Sequence, residues 1–205
     1  QSLIDVNRPI PNGMVWNMQY DLDVNDGFIA PVSRSEMWER LQYFLKEIMP
    51  IAEENNIKLV AHPDDPPVKN MRGTARLFYR TEEYEKLLDL YDSPSNGFEL
   101  CMGTVQEMEG SNLLDFLDKY SRLDRIGYIH YRNVIGKVPH YREAFVDEGD
   151  INMVKALEIL KNNNYDGIIV PDHTPEMSCD AAWHAGMAFA MGYLKGAMQS
   201  LEIDT

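Results

Sequence analysis

The sequence predicts an α/β fold built on a parallel sheet, and three observations lead to this prediction. Short apolar runs recur along the chain, and each has the length of a buried strand. Segments with helical periodicity separate these runs, and repeated strand–helix units are typical of parallel sheets. The connections that follow the strands are long, whereas those that precede them are short. The four predicted strands cover residues 57–61, 97–101, 126–130 and 167–170.

The helices are predicted from apolar residues that recur every three or four positions and from residues typical of helix starts. Ser33 and Glu36 have the spacing of a capping box, so the first helix should begin at Ser33. Pro50 should kink this helix near its end. A last helix covers about residues 180–200. The three helices between them should begin at Thr81, Ser111 and Asp150.

Long connections follow three of the predicted strands, at residues 63–80, 103–110 and 133–149. Long ordered loops in compact domains tend to carry function. The carboxyl ends of parallel strands share one edge, so we expect these loops to meet at that edge. Residues 1–32 form a further irregular loop region, in which Trp16 is available to line a pocket. The whole chain, residues 1–205, is predicted to form a single domain.

Each predicted strand ends in, or just before, a residue that commonly binds metals. These residues are His62, Cys101, His130 and Asp172. They lie far apart in sequence yet at one sheet edge, which is typical of a catalytic metal rather than of a structural zinc site with paired cysteines. Imidazole and thiolate ligands favour zinc or ferrous iron, and the carboxylate also allows manganese. The alternative is that two or more of the four are ordinary strand-end residues.

Other polar side chains near the strand ends are suited to acid–base chemistry or to binding an anion. His173 directly follows Asp172 and is a candidate general acid or base, because histidine titrates near neutral pH. Arg132 lies two residues after His130, on the same face of the strand, where it would be placed to hold substrate charge. The candidate substrate-binding residues are Arg72, Arg76, Asp64, Asp65 and Trp16. Alternatively, the loop arginines are solvated charges, and the two aspartates cap the loop or orient His62.

Composition excludes several classes of function. The net charge is −14 and the isoelectric point about 4.7, which argues against nucleic acid and anionic membrane surfaces as partners. No apolar run approaches the roughly 20 residues that span a bilayer, and no signal peptide is recognised. Two cysteines do not make a disulfide framework. A cytoplasmic, reducing location is therefore expected, since a thiolate ligand must stay reduced.

Five motifs resemble the D-mannonate dehydratase family in their order and spacing. They are His62-Pro63-Asp64-Asp65-Pro66-Pro67, Asn96-Gly97-Phe98-Glu99-Leu100-Cys101-Met102-Gly103, His130-Tyr131-Arg132, Gly149-Asp150-Ile151-Asn152-Met153 and Pro171-Asp172-His173. The resemblance covers about residues 33–200. It implies a xylose-isomerase-like (β/α)8 TIM barrel, of which this chain supplies about the C-terminal half.

The resemblance also implies an activity and a cofactor. The family dehydrates D-mannonate to 2-keto-3-deoxy-D-gluconate, a step of hexuronate catabolism, with Mn²⁺ or Fe²⁺. The metal ligands implied by the motifs are the four already inferred from the strand ends, and His173 would be the acid or base. The substrate would be a small sugar acid.

The chain departs from the family's pattern at one position. The family has a tyrosine before the last helix, and aligning on residues 192–196 places Met187 and Ala188 there. Two other functions stay open: a metal-dependent sugar isomerase or epimerase on the same scaffold, and a non-catalytic half-barrel that binds a metal or a partner chain. Because four strands do not close a barrel, we expect a homo-oligomer, or completion by strands that precede residue 1.

Overall fold

The computed structural model describes residues 30–71 and 74–203. Its strands, in chain order, are β1 (Leu59–Ala61), β2 (Asn70–Met71), β3 (Thr74–Ala75), β4 (Asn96–Cys101), β5 (Ile126–Tyr131), β6 (Asn133–Lys137), β7 (His140–Ala144) and β8 (Ile168–Pro171). Four of them form one sheet in the order β1-β4-β5-β8, with every neighbouring pair parallel. The predicted α/β fold with a parallel sheet is confirmed.

The helices in the described part of the chain are α1 (Arg34–Glu54), α2 (Glu83–Leu90), α3 (Met102–Glu107), α4 (Leu113–Arg122), α5 (Met153–Asn162) and α6 (Ala182–Ser200). The Ser33 side chain caps α1 as predicted, accepting a hydrogen bond from the Glu36 N–H at 3.3 Å. The helix continues through Pro50 to Glu54. None of the described helices combines the length and hydrophobicity that crossing a bilayer requires.

Three predicted helix starts are wrong by one or two residues. The observed N-caps are Glu82, Asn112 and Asn152 in place of Thr81, Ser111 and Asp150. The Asn112 and Asn152 side chains each accept a hydrogen bond from the backbone N–H three residues on. Ser111 instead donates to the Val105 carbonyl, and Asp150 accepts from the Gly136 N–H. Both residues that were expected to cap are thus engaged in loop contacts.

The predicted loop at residues 133–149 is largely an antiparallel hairpin, which is a correction to the prediction. β6 and β7 pair from Asn133↔Ala144 to Lys137↔His140. Gly136 has a φ of +89°, and a Cβ there would lie 2.4 Å from the His140 carbonyl oxygen, so glycine is required. The loop after β1 likewise contains the short pair β2 and β3.

The hydrophobic core lies between the sheet and its covering helices. Phe98 on β4 contacts Tyr84 of α2 and both Phe116 and Tyr120 of α4, with ring centroids 4.7 to 5.4 Å apart. Each ring is buried, and burying a large apolar side chain stabilises the fold by about 1.5–3 kcal/mol.

The other side of the sheet is open among the described residues. A cavity of about 470 Å³ lies against it, and its lining includes Val60, Tyr128 and Val170. Ile168 is 67% exposed. β1 and β8 are the outer strands, and each pairs with one neighbour in the described part of the sheet.

Candidate metal centre

The strands place four candidate ligands at one edge of the sheet. His62 directly follows β1, and Asp172 directly follows β8. Cys101 ends β4 and is the register partner of His130 on β5. The ligand atoms of His62, Cys101 and His130 all lie within 4.8 Å of one another. Asp172 Oδ2 is 3.9 Å from Cys101 Sγ and 3.5 Å from His130 Nδ1.

The polar atoms at this edge fit a divalent metal. Glu99 Oε2 and His130 Nδ1 are buried and form no hydrogen bond with any described residue. His62 Nδ1 lies 2.5 Å from the Pro63 carbonyl oxygen, so it can donate there and leave Nε2 with a free lone pair. Buried polar atoms are costly when unpaired, and a cation among them would remove that cost. Imidazole, thiolate and carboxylate donors together suit a first-row transition metal.

Glu99 lies between the two histidines and was missed by the sequence analysis. Its Oε2 is 3.2 Å from His62 Nε2, and its Oε1 is 3.2 Å from His130 Nδ1. Burial, together with the charge of Asp172, raises the pKa of Glu99 to about 8. A sequence signal was available, because Glu99 is a charged residue inside an apolar strand. It precedes Cys101 by two residues and therefore shares its face.

Arg132 is buried beside Cys101. Its side chain is 1% exposed, and its Nη1 lies 3.7 Å from Cys101 Sγ and 3.0 Å from Thr104 Oγ1. The Thr104 hydroxyl is in turn 3.1 Å from the same sulfur. Burial raises the pKa of the Cys101 thiol, and the Arg132 charge opposes that rise. Arg132 and Thr104 are therefore placed to favour a thiolate at Cys101.

Three carboxyl groups surround the Arg132 guanidinium. Asp65 accepts from Nη1 at 2.6 Å, Glu107 lies 2.8 Å from Nη2, and Glu143 is bound by both Nε and Nη2. Burial works against ionisation of Asp65 and Glu143, but Arg132 and His173 hold the pKa of each below its usual range. Burial instead raises the pKa of Glu107 to about 9. Burial thus favours the protonated form of Glu107, while Arg132 favours the ionised forms of Asp65 and Glu143.

His173 lies between the candidate ligand Asp172 and the Arg132 cluster. Its Nδ1 is 3.0 Å from Glu143 Oε1, and its Nε2 is 3.4 Å from Asp172 Oδ2. The side chain is 18% exposed, so the imidazole is not fully enclosed by its neighbours. This position agrees with the expectation that His173 sits beside the metal ligands, and its acid–base role stays a prediction.

The predicted substrate-binding residues fall into two groups. Trp16 and Arg72 lie outside the described residues. Asp64 and Arg76 pair with each other at 2.5 Å, and Asp64 also accepts from the Phe78 N–H at 2.7 Å. Asp65 is engaged with Arg132. These contacts tie the loop after β1 to the site, and substrate contact by these residues stays a prediction.

Four further residues of the site were missed by the sequence analysis: Glu99, Thr104, Glu107 and Glu143. Thr104 and Glu107 lie on α3, in a segment that was expected to be a loop. Glu143 lies on β7, within the hairpin that was also expected to be a loop. No sequence signal identifies Glu143, because the run His140-Tyr141-Arg142-Glu143-Ala144 does not alternate apolar and polar residues as a typical strand does.

Comparison with known proteins gives the site its context. A family model described as D-mannonate dehydratase (UxuA) matches residues 26–204. The chain belongs to the D-mannonate dehydratase family. The mannonate dehydratase of Lactococcus lactis subsp. cremoris (strain MG1363) is 33% identical over 199 residues, which is 91% of this chain and 55% of that protein. The mannonate dehydratase of Streptococcus pneumoniae (strain 70585) is 32% identical over 164 residues, 77% of this chain and 44% of that protein.

Solved structures agree with the family assignment. The crystal structure of mannonate dehydratase from Streptococcus suis serotype 2 matches with a TM-score of 0.73 and 28% identity, covering 84% of this chain and 52% of that one. A xylose isomerase domain protein from Planctomyces limnophilus matches at 15% identity and a TM-score of 0.63, and shows the fold alone. The predicted fold class, part of a xylose-isomerase-like TIM barrel, is confirmed. The chain spans about half the length of these mannonate dehydratases.

Proposed function

We propose that the protein is a metal-dependent hydro-lyase that converts D-mannonate, or a close analogue, to 2-keto-3-deoxy-D-gluconate. The observation that carries the proposal is the convergence of His62, Cys101 and His130 from three strands, in a chain of the D-mannonate dehydratase family. Asp172 completes the proposed ligand set. The dispersed ligands and the open side of the site are typical of catalytic rather than structural metals.

The proposed cofactor is Mn²⁺ or Fe²⁺. Bound among His62, Cys101, His130 and Asp172, such an ion would act as a Lewis acid for the negative charge that develops on the sugar acid. The protein's part is to present neutral imidazoles and anionic oxygen and sulfur donors. Burial lowers the pKa of His130, which keeps that ring in the neutral form that can bind a metal. Arg132 and Thr104 support the thiolate form of Cys101.

The reaction is a β-elimination in which a proton leaves C2 and the hydroxyl leaves C3 as water. His173 is the proposed acid or base, because it lies beside Asp172 and because a histidine can exchange protons near neutral pH. The enol left by the loss of water then takes its keto form. Arg132 was expected to hold substrate charge, but its burial among three carboxyls supports a role exerted through Cys101 and Glu143.

Substrate binding is proposed for the loop after β1. Arg76, Asp64 and Asp65 lie there, and Arg72 and Trp16 are kept as proposals from the sequence. An arginine fork suits a carboxylate. We also propose a cytoplasmic location, and a barrel completed by further strands or by association with a second copy.

The activity is tested by incubating the purified protein with Mn²⁺ or Fe²⁺ and D-mannonate, with other aldonates in parallel. Formation of a 2-keto-3-deoxy acid, abolished by a chelator and restored by added metal, is the expected result. Interconversion of sugars without loss of water would show an isomerase or epimerase instead. Metal binding without any turnover would favour a non-catalytic half-barrel.

A further inference from the structure

The β6–β7 hairpin contributes a side chain to the candidate site. Register pairing of Glu143 with Val134 places Glu143 on β7. Its Oε1 lies 3.0 Å from His173 Nδ1, although the two residues are 30 positions apart. The carboxylate is therefore brought to His173 by the hairpin rather than by the sheet that carries the metal ligands.

The Glu143 carboxylate is held rigidly. Arg132 Nε donates to Oε2 at 2.9 Å, and Arg132 Nη2 binds Oε1. Such a two-point contact fixes both the position and the orientation of a carboxylate. Arg132 is fixed in turn by Asp65 and Glu107 and is almost fully buried. A side chain held in this way can determine the orientation of the group that it contacts.

We propose that Glu143 is a positioning residue for His173. An ionised Glu143 only accepts hydrogen bonds, so it selects the His173 tautomer that carries its proton on Nδ1. Nε2 then keeps its lone pair: it lies 3.4 Å from Asp172 Oδ2 without forming a hydrogen bond, whereas Nδ1 is hydrogen-bonded to Glu143 at 3.0 Å. The selected tautomer is the one that can take a proton from substrate at Nε2, so this inference rests in part on the proposed function.

The arrangement also explains why Arg132 is so deeply buried. A carboxylate that shares a buried cluster with Asp65 and Glu107 needs a cation to stay ionised. The Arg132 charge holds the pKa of Glu143 below its usual range despite burial. Arg132 thus acts at two places in the site. Its Nη1 lies beside Cys101, and its contact with Glu143 holds the carboxylate that binds His173.

The kinetic test compares Glu143→Gln and Glu143→Ala with Arg142→Gln as the matched control. Arg142 lies next to Glu143 on β7 and is exposed. Loss of a residue that orients a functional group typically lowers activity about 10- to 100-fold. We expect kcat to fall about 10-fold in Glu143→Gln, whose amide oxygen can still accept from Nδ1–H. The expected fall in Glu143→Ala is about 100-fold.

The same test separates positioning from other roles. KM and metal content should stay within about twofold of wild type, and Arg142→Gln should match wild type throughout. A raised KM with unchanged kcat would make Glu143 a substrate contact and overturn the proposal. So would an equal loss in Arg142→Gln, or an unchanged kcat in both Glu143 variants. If Glu143→Ala does not fold, the isosteric Glu143→Gln decides.

A second measurement does not depend on activity. The protein is labelled with ¹⁵N-histidine, loaded with diamagnetic Zn²⁺ and studied by NMR above pH 8, where an ordinary histidine is neutral. The His173 signals are assigned by their absence in His173→Gln. Wild type should show a proton on Nδ1, and Glu143→Gln should keep this tautomer. Glu143→Ala should shift toward the Nε2–H form.

The activity assay and the NMR measurement test two separate claims, the proposed function and the positioning role of Glu143. A tautomer that depends on Glu143 in a protein that dehydrates no sugar acid would refute the proposed function and leave the positioning role intact. The same tautomer in wild type and in Glu143→Ala would overturn the positioning role, whatever the activity.

Discussion

Charge balance around Arg132 shows how single residues shape this site. One guanidinium faces Asp65, Glu107 and Glu143, so three carboxyl groups share a single cation. Asp65 and Glu143 also contact other donors, namely Thr104 and His173, and they stay ionised. Glu107 is the most buried of the three, and burial raises its pKa to about 9. The stability of the fold should therefore depend on pH through this cluster.

This dependence predicts the effect of Glu107→Gln on stability. Below about pH 4.5 Glu107 is protonated in both the folded and the unfolded chain, so its ionisation does not lower the free energy of unfolding. Between about pH 4.5 and 9 the unfolded chain ionises while the folded protein keeps the proton, so stability falls as pH rises. The limiting slope is about 1.4 kcal/mol per pH unit. A neutral glutamine removes this loss, so the variant's Tm advantage should grow from pH 5 to pH 9.

Comparing the Tm profiles of Glu107→Gln and wild type isolates the contribution of Glu107 to the pH dependence of stability. Asp65 and Glu143 have lowered pKa values and stabilise the fold above their unfolded values, but they are present in both proteins and cancel. Arg132 and Tyr141, the other groups facing Glu107, are also unchanged. Parallel Tm profiles for the two proteins across this range would contradict a protonated Glu107.

The candidate metal ligands give a second prediction at this scale. Elemental analysis of protein purified without a chelator should find one first-row divalent ion per chain. Cys101→Ser and His130→Ala should each lose most of it, because each removes a donor from a set of four. Cys179→Ser is the matched control, since Cys179 is exposed and lies outside the site. Wild-type metal affinity in both ligand variants would show that the site is misassigned.

His173 should affect turnover without affecting metal content. We expect His173→Ala to lower kcat at least about a hundredfold, because acid–base groups typically supply about 10²–10⁴. Its imidazole contacts Glu143 and Asp172 rather than completing the proposed ligand set. Steady-state kinetics and metal analysis on the same sample are the measurements. A parallel loss of metal would instead make His173 a ligand or a structural residue.

At the scale of elements, α3 links the sheet to the Arg132 cluster. A Cβ at Gly103 would lie 2.7 Å from Arg132 Cδ and 2.8 Å from its Cγ. Because Arg132 is fixed by its carboxylate partners, it has little freedom to move away. A Cβ at Gly196 on α6 would meet nothing within 4 Å. An added methyl group should therefore clash at Gly103 and fit without contact at Gly196.

This contrast predicts opposite effects of the same substitution. Gly103→Ala should lower the free energy of unfolding by about 1–3 kcal/mol, because it overpacks a rigid contact. Gly196→Ala should raise it by up to about 1 kcal/mol, because alanine is the better helix former. Urea unfolding of both variants measures the difference. If Gly103→Ala is as stable as Gly196→Ala, Arg132 is not held as tightly as its contacts indicate.

The elements also show what the sequence could predict. β1, β4, β5 and β8 are apolar runs between turn residues, so the sheet was predictable. Their ends carry His62, Cys101, His130 and Asp172, so the meeting of these side chains at one edge was predictable too, while metal binding by them stays a prediction. The hairpin was not, because His140 and Arg142 are exposed while Ala144 is buried, which leaves no continuous apolar face. Glu143 could not be assigned for the same reason: its partner Arg132 is brought to it by tertiary packing that local periodicity does not encode.

At the scale of the whole molecule, the sheet described here has two outer strands and one uncovered face. β1 and β8 each leave backbone groups available for pairing, and such edges promote association. The uncovered face includes Val60 and Val170 beside the cavity, and Ile168 is mostly exposed. Exposed apolar surface of this kind marks a place where more protein packs.

We therefore predict that the 205-residue chain alone is not a monodisperse monomer. Light scattering should show self-association or aggregation rather than a single species of 23.6 kDa. Joining the chain to further strands that close the barrel should yield a discrete particle. A monodisperse monomer of 23.6 kDa with a cooperative melt would show that the described sheet needs no further strands.

The two faces of β4 have a consequence for how this chain can vary. Phe98 packs among the aromatic rings of the helices, while its neighbour Glu99 lies between the candidate metal-binding histidines. Phe98 and Glu99 thus lie on opposite faces of β4, and a substitution at one does not move the other to a different face. Inserting or deleting a single residue in β4 would exchange the two sets, turning a carboxyl toward the aromatic rings and a ring toward the histidines. Variant libraries at this strand should therefore tolerate conservative point substitutions better than the insertion or deletion of a single residue.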